Sequence, residues 1–225
     1  MSKVVIFGAS QIADQAYFYL TNDSPHEIVA FAVDGAYMKE ETKFGLPIVP
    51  FEEVENSYPP EDFKMFVAVG WFQELNKLRA RKYEECKAKG YELVSYVSPL
   101  ASNVGGVAVG DNCFILEFAI IQPCSKIGND VFIWSGNHIG HHASVGDHCY
   151  IAGNAMISGN TTIGPYCFVG VSATIGHELT VGAESFIGAG SLITKNVAPK
   201  SVYITPDTQK FRLDSDAFLR LTKMR

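Results

Sequence analysis

From Val109 to Ile193 an aliphatic residue recurs at every sixth position: Val109, Ile115, Ile121, Ile127, Ile133, Ile139, Val145, Ile151, Ile157, Ile163, Val169, Ile175, Val181, Ile187 and Ile193. A period of six fits neither the 3.6 residues of an α-helical turn nor the two-residue alternation of a free strand, so it marks an internal repeat. Four positions after the aliphatic residue the side chain is usually small, as at Cys113, Ala119, Ala143, Cys149, Ala155, Cys167 and Ala173. One large and one small inward position per hexad suit a narrow coil of short strands. Glycine follows the aliphatic residue at Gly110, Gly128, Gly146, Gly164 and Gly182, always eighteen residues apart. Three hexads therefore make one geometric unit, and the expected object is a three-sided coil whose turns stack at about 4.8 Å, like neighbouring strands of a sheet.

This repeat resembles that of the hexapeptide-repeat acyltransferases, which implies a left-handed parallel β-helix. The hand comes from the resemblance, since crossovers between parallel strands are otherwise right-handed. A repeat confined to the second half of 225 residues predicts two domains, at 1–98 and 99–204, with a tail at 205–225.

The first hundred residues read differently. Lys3 to Ala9 form an apolar run ending at a glycine turn, Ile12 to Leu20 continue as a helix, and further apolar runs at Ile28–Val33 and Met65–Val69 end at Asp34-Gly35 and Gly70. Leu78, Tyr83 and Cys86 are spaced as one helix face, which Gly90 terminates. Strands alternating with helices predict a small α/β domain with a Rossmann-like parallel sheet. The turn Gly8-Ala9-Ser10 can offer backbone N–H groups to a phosphate. It can equally be a tight turn without ligand, and the full GxGxxG fingerprint is absent, which argues against NAD.

Net charge is −6, and Lys126 is the only Lys or Arg between Ala101 and Thr194, so nucleic acid and anionic membrane are not expected partners. No apolar run reaches membrane-spanning length, and residues 1–20 lack the pattern of a signal peptide, so a cytoplasmic location is expected. Cys113, Cys149 and Cys167 fall on small inward positions of the repeat and read as reduced core residues; no CxxC pair points to structural zinc.

A small sheet followed by this coil resembles, over roughly residues 3–204, the family of sialic acid O-acetyltransferases and nucleotide 4-amino-sugar N-acetyltransferases. The resemblance implies that the first domain holds the nucleotide of a nucleotide-linked amino sugar, with Gly8 and Ser10 near the diphosphate, Asp34 near the base and Gly70 closing the pocket. Many members continue the glycine turn as Gly-His-(Gly/Ala), whereas this chain has Gln11-Ile12-Ala13. Its contacts to the sugar or the nucleotide must differ.

Four of the six histidines, His138, His141, His142 and His148, lie within eleven residues. Three readings are open: a metal site, a solvated face, or general-base catalysis. On a strand, His141 and His142 would point to opposite sides, which argues against a shared metal. Acyl transfer from a thioester needs a base near neutral pH, which imidazole supplies. By motif position the resemblance implies His141, after Ile139-Gly140, as that base, with His138 and His142 near the substrate. The eighteen-residue period stacks Gly105, Pro123, Gly159 and His177 in its column. Gly159, one coil on, would supply the backbone amide that steadies the thioester oxygen. His177, two coils on at roughly 10 Å, is expected to be out of hydrogen-bond reach. Relatives often place an acid directly after the base, but His142 follows here. Within the repeat only His177 precedes an acid, Glu178, which keeps His177 open as an alternative base.

The donor implied is acetyl-CoA or another acyl-CoA, lying in a groove along the last coils where Gly170, Gly188, Ala189 and Gly190 permit close approach, with Lys195 and Lys200 near its phosphates or as plain surface lysines. Relatives end in Gly-(Asn/Val)-Pro-Ala-(Lys/Arg); this chain reads Ile204-Thr205-Pro206-Asp207-Thr208-Gln209-Lys210. Asp214 or Ser215 can cap a short terminal helix containing Phe218 and Leu219. The family also implies a homotrimer whose active site is shared between chains, and no metal. Sugar N-acylation is the leading expectation; O-acetylation and a non-catalytic, nucleotide-sugar-binding or scaffolding solenoid are the alternatives.

Overall fold

The computed structural model describes residues 2–71, 74–103 and 105–223. Its N-terminal part contains β1 (Lys3–Phe7), α1 (Gln11–Asp23), β2 (Glu27–Val33), β3 (Thr42–Lys43), β4 (Leu46–Pro50), α2 (Val54–Ser57), β5 (Phe63–Val67) and α3 (Lys77–Ala88). The strands form one sheet in the order β3-β4-β2-β1-β5, parallel except for the β3–β4 hairpin. Val4, Val5, Ile6 and Phe7 are all buried because helices or solenoid cover both faces of β1, which is why this strand reads as an unbroken apolar run. α1 buries Ile12, Ala13, Ala16 and Leu20 at helical spacing. α3 departs from expectation: Tyr83 and Cys86 are buried, but beside Arg79 and Lys82 rather than Leu78. Its inner face meets a polar seam of the second domain, where fixed acceptors receive those cations.

The coil begins at Tyr96–Val97 and ends at Val202–Tyr203, and it is a three-sided left-handed parallel β-helix. Strands eighteen residues apart pair in parallel on each side, as Ile133 does with Ile115 and Ile151. The repeated Ile and Val side chains fill the interior together with Cys113, Ala119, Ala143, Cys149, Ala155, Cys167 and Ala173. Face one carries seven strands, including Phe114–Ile115, Phe132–Ile133, Tyr150–Ile151, Phe168–Val169 and Phe186–Ile187. Face two carries six, including Ile120–Ile121, His138–Ile139, Met156–Ile157, Thr174–Ile175 and Leu192–Ile193. Face three carries four, from Lys126–Ile127 to Thr180–Val181.

The corners from Asn112 to Gly190 repeat as strictly as the sides. Each of these holds one residue with positive φ: Asn112, Asp130, His148, Tyr166 and Glu184 on the first corner, between faces three and one; Phe118, Gly136, Asn154, Ser172 and Gly190 on the second, between faces one and two; Cys124, His142, Asn160 and Glu178 on the third, between faces two and three. A left-handed conformation costs a non-glycine residue about 1–2 kcal/mol. The strain is held by the coil-to-coil hydrogen bonds and the packed interior.

Face one points outward a ladder of aromatic rings, Tyr96, Phe114, Phe132, Tyr150, Phe168 and Phe186, with successive centroids 4.6–6.1 Å apart. The N-terminal domain docks on this ladder: Tyr19 meets Tyr96 and Phe114, Phe66 meets Phe114 and Phe132, and Trp71 meets Phe168 and Phe186. At the first corner, fully buried Arg79 binds the carboxylate of Asp130 at 3.0 Å and the carbonyls of Asp130 and Cys149 at 3.1 Å. The other carboxylate oxygen of Asp130 meets His148 Nδ1 at 2.9 Å. The aromatic ladder and this polar seam fix the two domains against each other.

At the far end, α4 (Ser215–Thr222) starts as expected, with the Asp214 carboxylate accepting from the Ala217 N–H at 2.8 Å. Phe218 and Leu219 on this helix are exposed, and Phe218 meets Phe211 edge to face.

Candidate functional site

Most of the expected residues fall into three places on one chain. The first is a cleft of ≈ 430 Å³ at the carboxyl ends of β1, β2 and β5, lined by Gly8, Ala9, Ser10, Asp34, Tyr37, Val69, Gly70, Leu78, Arg81 and Lys82 among others. In open α/β sheets ligands bind at such carboxyl ends, where the chain leaves to opposite sides of the sheet. Gly8 is required here: its φ is +118°, and a Cβ would lie 2.7 Å from the Ala68 carbonyl oxygen. Ser10 occupies the N-cap position of α1 without using its side chain as a cap. The Asp34 carboxylate accepts from Lys82 Nζ at 2.6 Å, and Lys82 also binds Glu85 at 2.6 Å. Burial pulls the Lys82 pKa down, but the two carboxylate hydrogen bonds outweigh it and the net direction is up, so this lysine stays charged. Lys82, Arg81 and Tyr37 were not expected in this cleft. A helix of mixed charge gives no sequence signal for which cation faces inward.

The second place is a groove of ≈ 520 Å³ at the second corner, lined by Phe168, Gly170, Val171, Phe186, Gly188, Ala189 and the segment Ile204–Thr208. Gly170, Gly188 and Ala189 therefore meet as expected. Gly190, with φ +66°, closes the same corner beside Thr205, whose hydroxyl donates to the Ala189 carbonyl at 2.7 Å. The departing terminal segment is thus a wall of the groove. Lys195 and Lys200 do not line it. Lys200 lies at the first corner, 3.9 Å from Glu184, and Lys195 is exposed two residues past the last strand of face two. By the eighteen-residue period Lys195 stacks on His177 at the third corner and Lys200 on Gly182 at the first, so neither is in register with the second-corner groove, and the period itself breaks only after Ile193, where Val197 pairs Val181.

The third place is the third corner. His141 and His142 lie in its turn rather than on a strand, so the expectation that they diverge is overturned. With His142 at φ +58°, the two rings converge and their Nδ1 atoms stand 3.2 Å apart. The His141 backbone N–H donates to Gln122 Oε1 at 2.9 Å, which pins the turn from the coil below. On the coil above, the imidazole lies across Gly159: a Cβ there would be 2.8 Å from its Cε1 and Nε2. Because Gly159 leaves this gap, the rings of His141 and His177 approach to 6.2 Å, nearer than the stacking distance of two coils predicts. His177 Nε2 in turn stands 3.4 Å from Glu178 and 3.5 Å from Asn160 Nδ2. His138 sits apart from this group, facing outward on face two between Ile120 and Met156. The fourth clustered histidine, His148, belongs to the buried seam with Asp130. Its partner is one coil away, eighteen residues in sequence, a spacing at which the pair was legible. Among the described residues no three His, Cys, Asp or Glu side chains are grouped to hold a metal ion.

Residues 124–159 match the family model for the bacterial transferase hexapeptide, in six repeats. The fold is that of the hexapeptide-repeat sugar acetyltransferases. PerB from Caulobacter crescentus, solved in complex with CoA and GDP-perosamine, superposes with a TM-score of 0.79 at 21% identity, covering 90% of this chain and 93% of that one. The acetyltransferase domain of PglB from Neisseria gonorrhoeae gives a TM-score of 0.76 at 22% identity, covering 90% and 96%. WeeI from Acinetobacter baumannii gives 0.76 at 19%, with the same coverage. A search among curated proteins gives no significant match. No helix among the described residues is long and apolar enough to cross a membrane.

Proposed function

We propose that the protein transfers an acyl group, acetyl as the leading case, from coenzyme A to the amino group of a nucleotide-linked amino-deoxysugar, with His141 as general base. The observation that carries this reading is the His141 imidazole laid across side-chain-free Gly159, on a solenoid whose later coils hold an open groove at the second corner. It is supported by the fold shared with a protein solved with CoA and GDP-perosamine. In this mechanism the nucleotide sits in the cleft of Gly8, Ser10, Asp34 and Gly70, and the pantetheine follows Gly170, Gly188 and Ala189. His141 removes the proton from the attacking amine, the amine forms its bond to the thioester carbonyl, and the CoA thiolate leaves and takes up a proton. The Gly159 amide steadies the oxyanion, an interaction typically worth about 3–4 kcal/mol.

The three places cannot meet within one chain. The cleft lies on the domain packed over face one, while His141 stands at the third corner, opposite that face, and the groove is at the second. This separation supports a trimer in which His141 of one chain faces the groove and cleft of another. Exposed Ile120, Met156 and Leu192 on face two give such a contact its apolar surface.

The test is CoA release from acetyl-CoA against a panel of UDP-, dTDP- and GDP-linked amino sugars and their hydroxyl counterparts, with wild type beside His141→Ala. Turnover on one amino sugar that falls on the order of 10²-fold or more in the variant is the expected result. Turnover only on hydroxyl sugars would replace N- by O-acylation. Tight nucleotide-sugar binding without CoA release would leave a binding protein.

A further inference from the structure

We infer that His142 is a positioning residue that selects the tautomer of His141, so that the base of this protein is one half of an imidazole pair. The inference rests on His141 being the base. Two Nδ1 atoms 3.2 Å apart share one proton: one nitrogen must donate and the other accept. Which ring nitrogen of a histidine carries its proton is set by the hydrogen bond made by the other. When His141 Nδ1–H donates to His142 Nδ1, the Nε2 of His141 keeps its lone pair. That nitrogen and Cε1 are the ring atoms nearest the space a Gly159 Cβ would fill, on the residue whose amide is proposed to hold the oxyanion. The opposite arrangement would protonate Nε2 and leave no base on that side. His142 therefore acts by accepting, and it does so from a corner position whose positive φ turns its ring back over its neighbour.

The pair has a consequence for pH that a carboxylate partner would not give. Protonated His142 has no acceptor at Nδ1, and its charge opposes formation of the His141 imidazolium. Activity thus requires both rings neutral. The other titratable groups of this corner are His177, 6.2 Å from His141 between centroids, Glu178, which faces His177 rather than the pair, and Cys124, one coil below His142 at the same register. None of these stands between the two Nδ1 atoms.

The variants that separate this role from plain structure are His142→Gly, His142→Asn and His142→Asp. Glycine adopts the positive φ without strain and removes only the ring. Asparagine tolerates the same φ and restores an acceptor. In 15N-histidine-labelled protein, with the His141 signal assigned by its loss in His141→Ala, the expected spectrum is the Nδ1–H tautomer in wild type and His142→Asn, changing towards Nε2–H in His142→Gly. In turnover, His142→Gly should lose about tenfold or more in kcat with KM little changed, and His142→Asn should recover most of it. His142→Asp should stay active with its acid limb moved to higher pH, because an anion favours the imidazolium of His141. The acceptor amine titrates alike in every variant, so differences between profiles report the neighbour alone. An Nε2–H tautomer in wild type, or a His142→Gly protein with unchanged kcat and pH profile, overturns the pair while leaving His141 as base. Turnover that survives His141→Ala overturns the base and the pair together.

Discussion

Gly159 is the residue on which the corner turns. Its φ is not left-handed, so an alanine there meets no left-handed backbone strain, and the three atoms nearest its Cβ all belong to the movable ring of His141. Gly159→Ala should therefore melt within a degree or two of wild type while losing tenfold or more in kcat, read by thermal unfolding beside CoA release. Gly140→Ala is the contrasting case, because its Cβ would lie 2.4 Å from the Gly159 backbone nitrogen and 2.7 Å from the Ser158 carbonyl carbon. Backbone cannot swing aside as a ring can. That variant should lose stability first, and a fall in the denaturant midpoint would show it. The corner position of His141 was legible from its place after Ile139-Gly140; its convergence with His142 was not. A period of six says which residues sit at a corner, but the direction of a side chain there depends on a φ that sequence pattern does not reveal.

Between elements, the decisive contacts join α1 and α3 to the solenoid. Arg79 and Asp130 are both fully buried, and removing one partner of such a pair strands the other's charge. Arg79→Ala should cost about 3–5 kcal/mol in urea unfolding, the usual scale for breaking a buried pair. A second link runs through Glu117, which accepts from Tyr19 at 2.8 Å and from Ser135 at 2.7 Å. Burial raises the pKa of this carboxyl, but the hydrogen bonds from Ser135 and Tyr19 outweigh it and the net direction is down. A carboxylate whose folded pKa is depressed contributes stability above its ordinary value and loses it as pH falls through the folded one. Glu117→Gln should thus melt below wild type at pH 7, and the gap should close as pH falls below about 4.5, the ordinary value for this group. Melting curves between pH 7 and 3 check this. The coil strands were readable because each hexad repeats one local rule. The aromatic ladder was also written in the chain, as a ring at residues 96, 114, 132, 150, 168 and 186, but its meaning required the sheet that lies on it.

At the scale of the whole molecule, the cleft, the groove and His141 stand on different sides of a three-cornered prism. A shared site predicts complementation. His141→Ala and Ala189→Trp, the second filling the donor groove, should each be inactive alone and recover turnover when unfolded together and refolded as mixed oligomers. A monomer in sedimentation, or silence in every mixture, would remove the shared site. The same arrangement predicts that activity falls on dilution through the dissociation range of the oligomer, while the circular dichroism of the rigid coil stays unchanged.

Sequence alone determined the three-sided coil, its inward residues, the turn at Gly8 and the corner that carries His141. These follow from rules that repeat every six or eighteen residues, or from a glycine that nothing else can replace. Tertiary structure decided which cation faces the cleft, that the terminal segment walls the groove, that Arg79 reaches Asp130, and that His142 leans on His141. Each of these depends on distant backbone meeting at one point and on side-chain direction at a left-handed corner, and neither has a period to read.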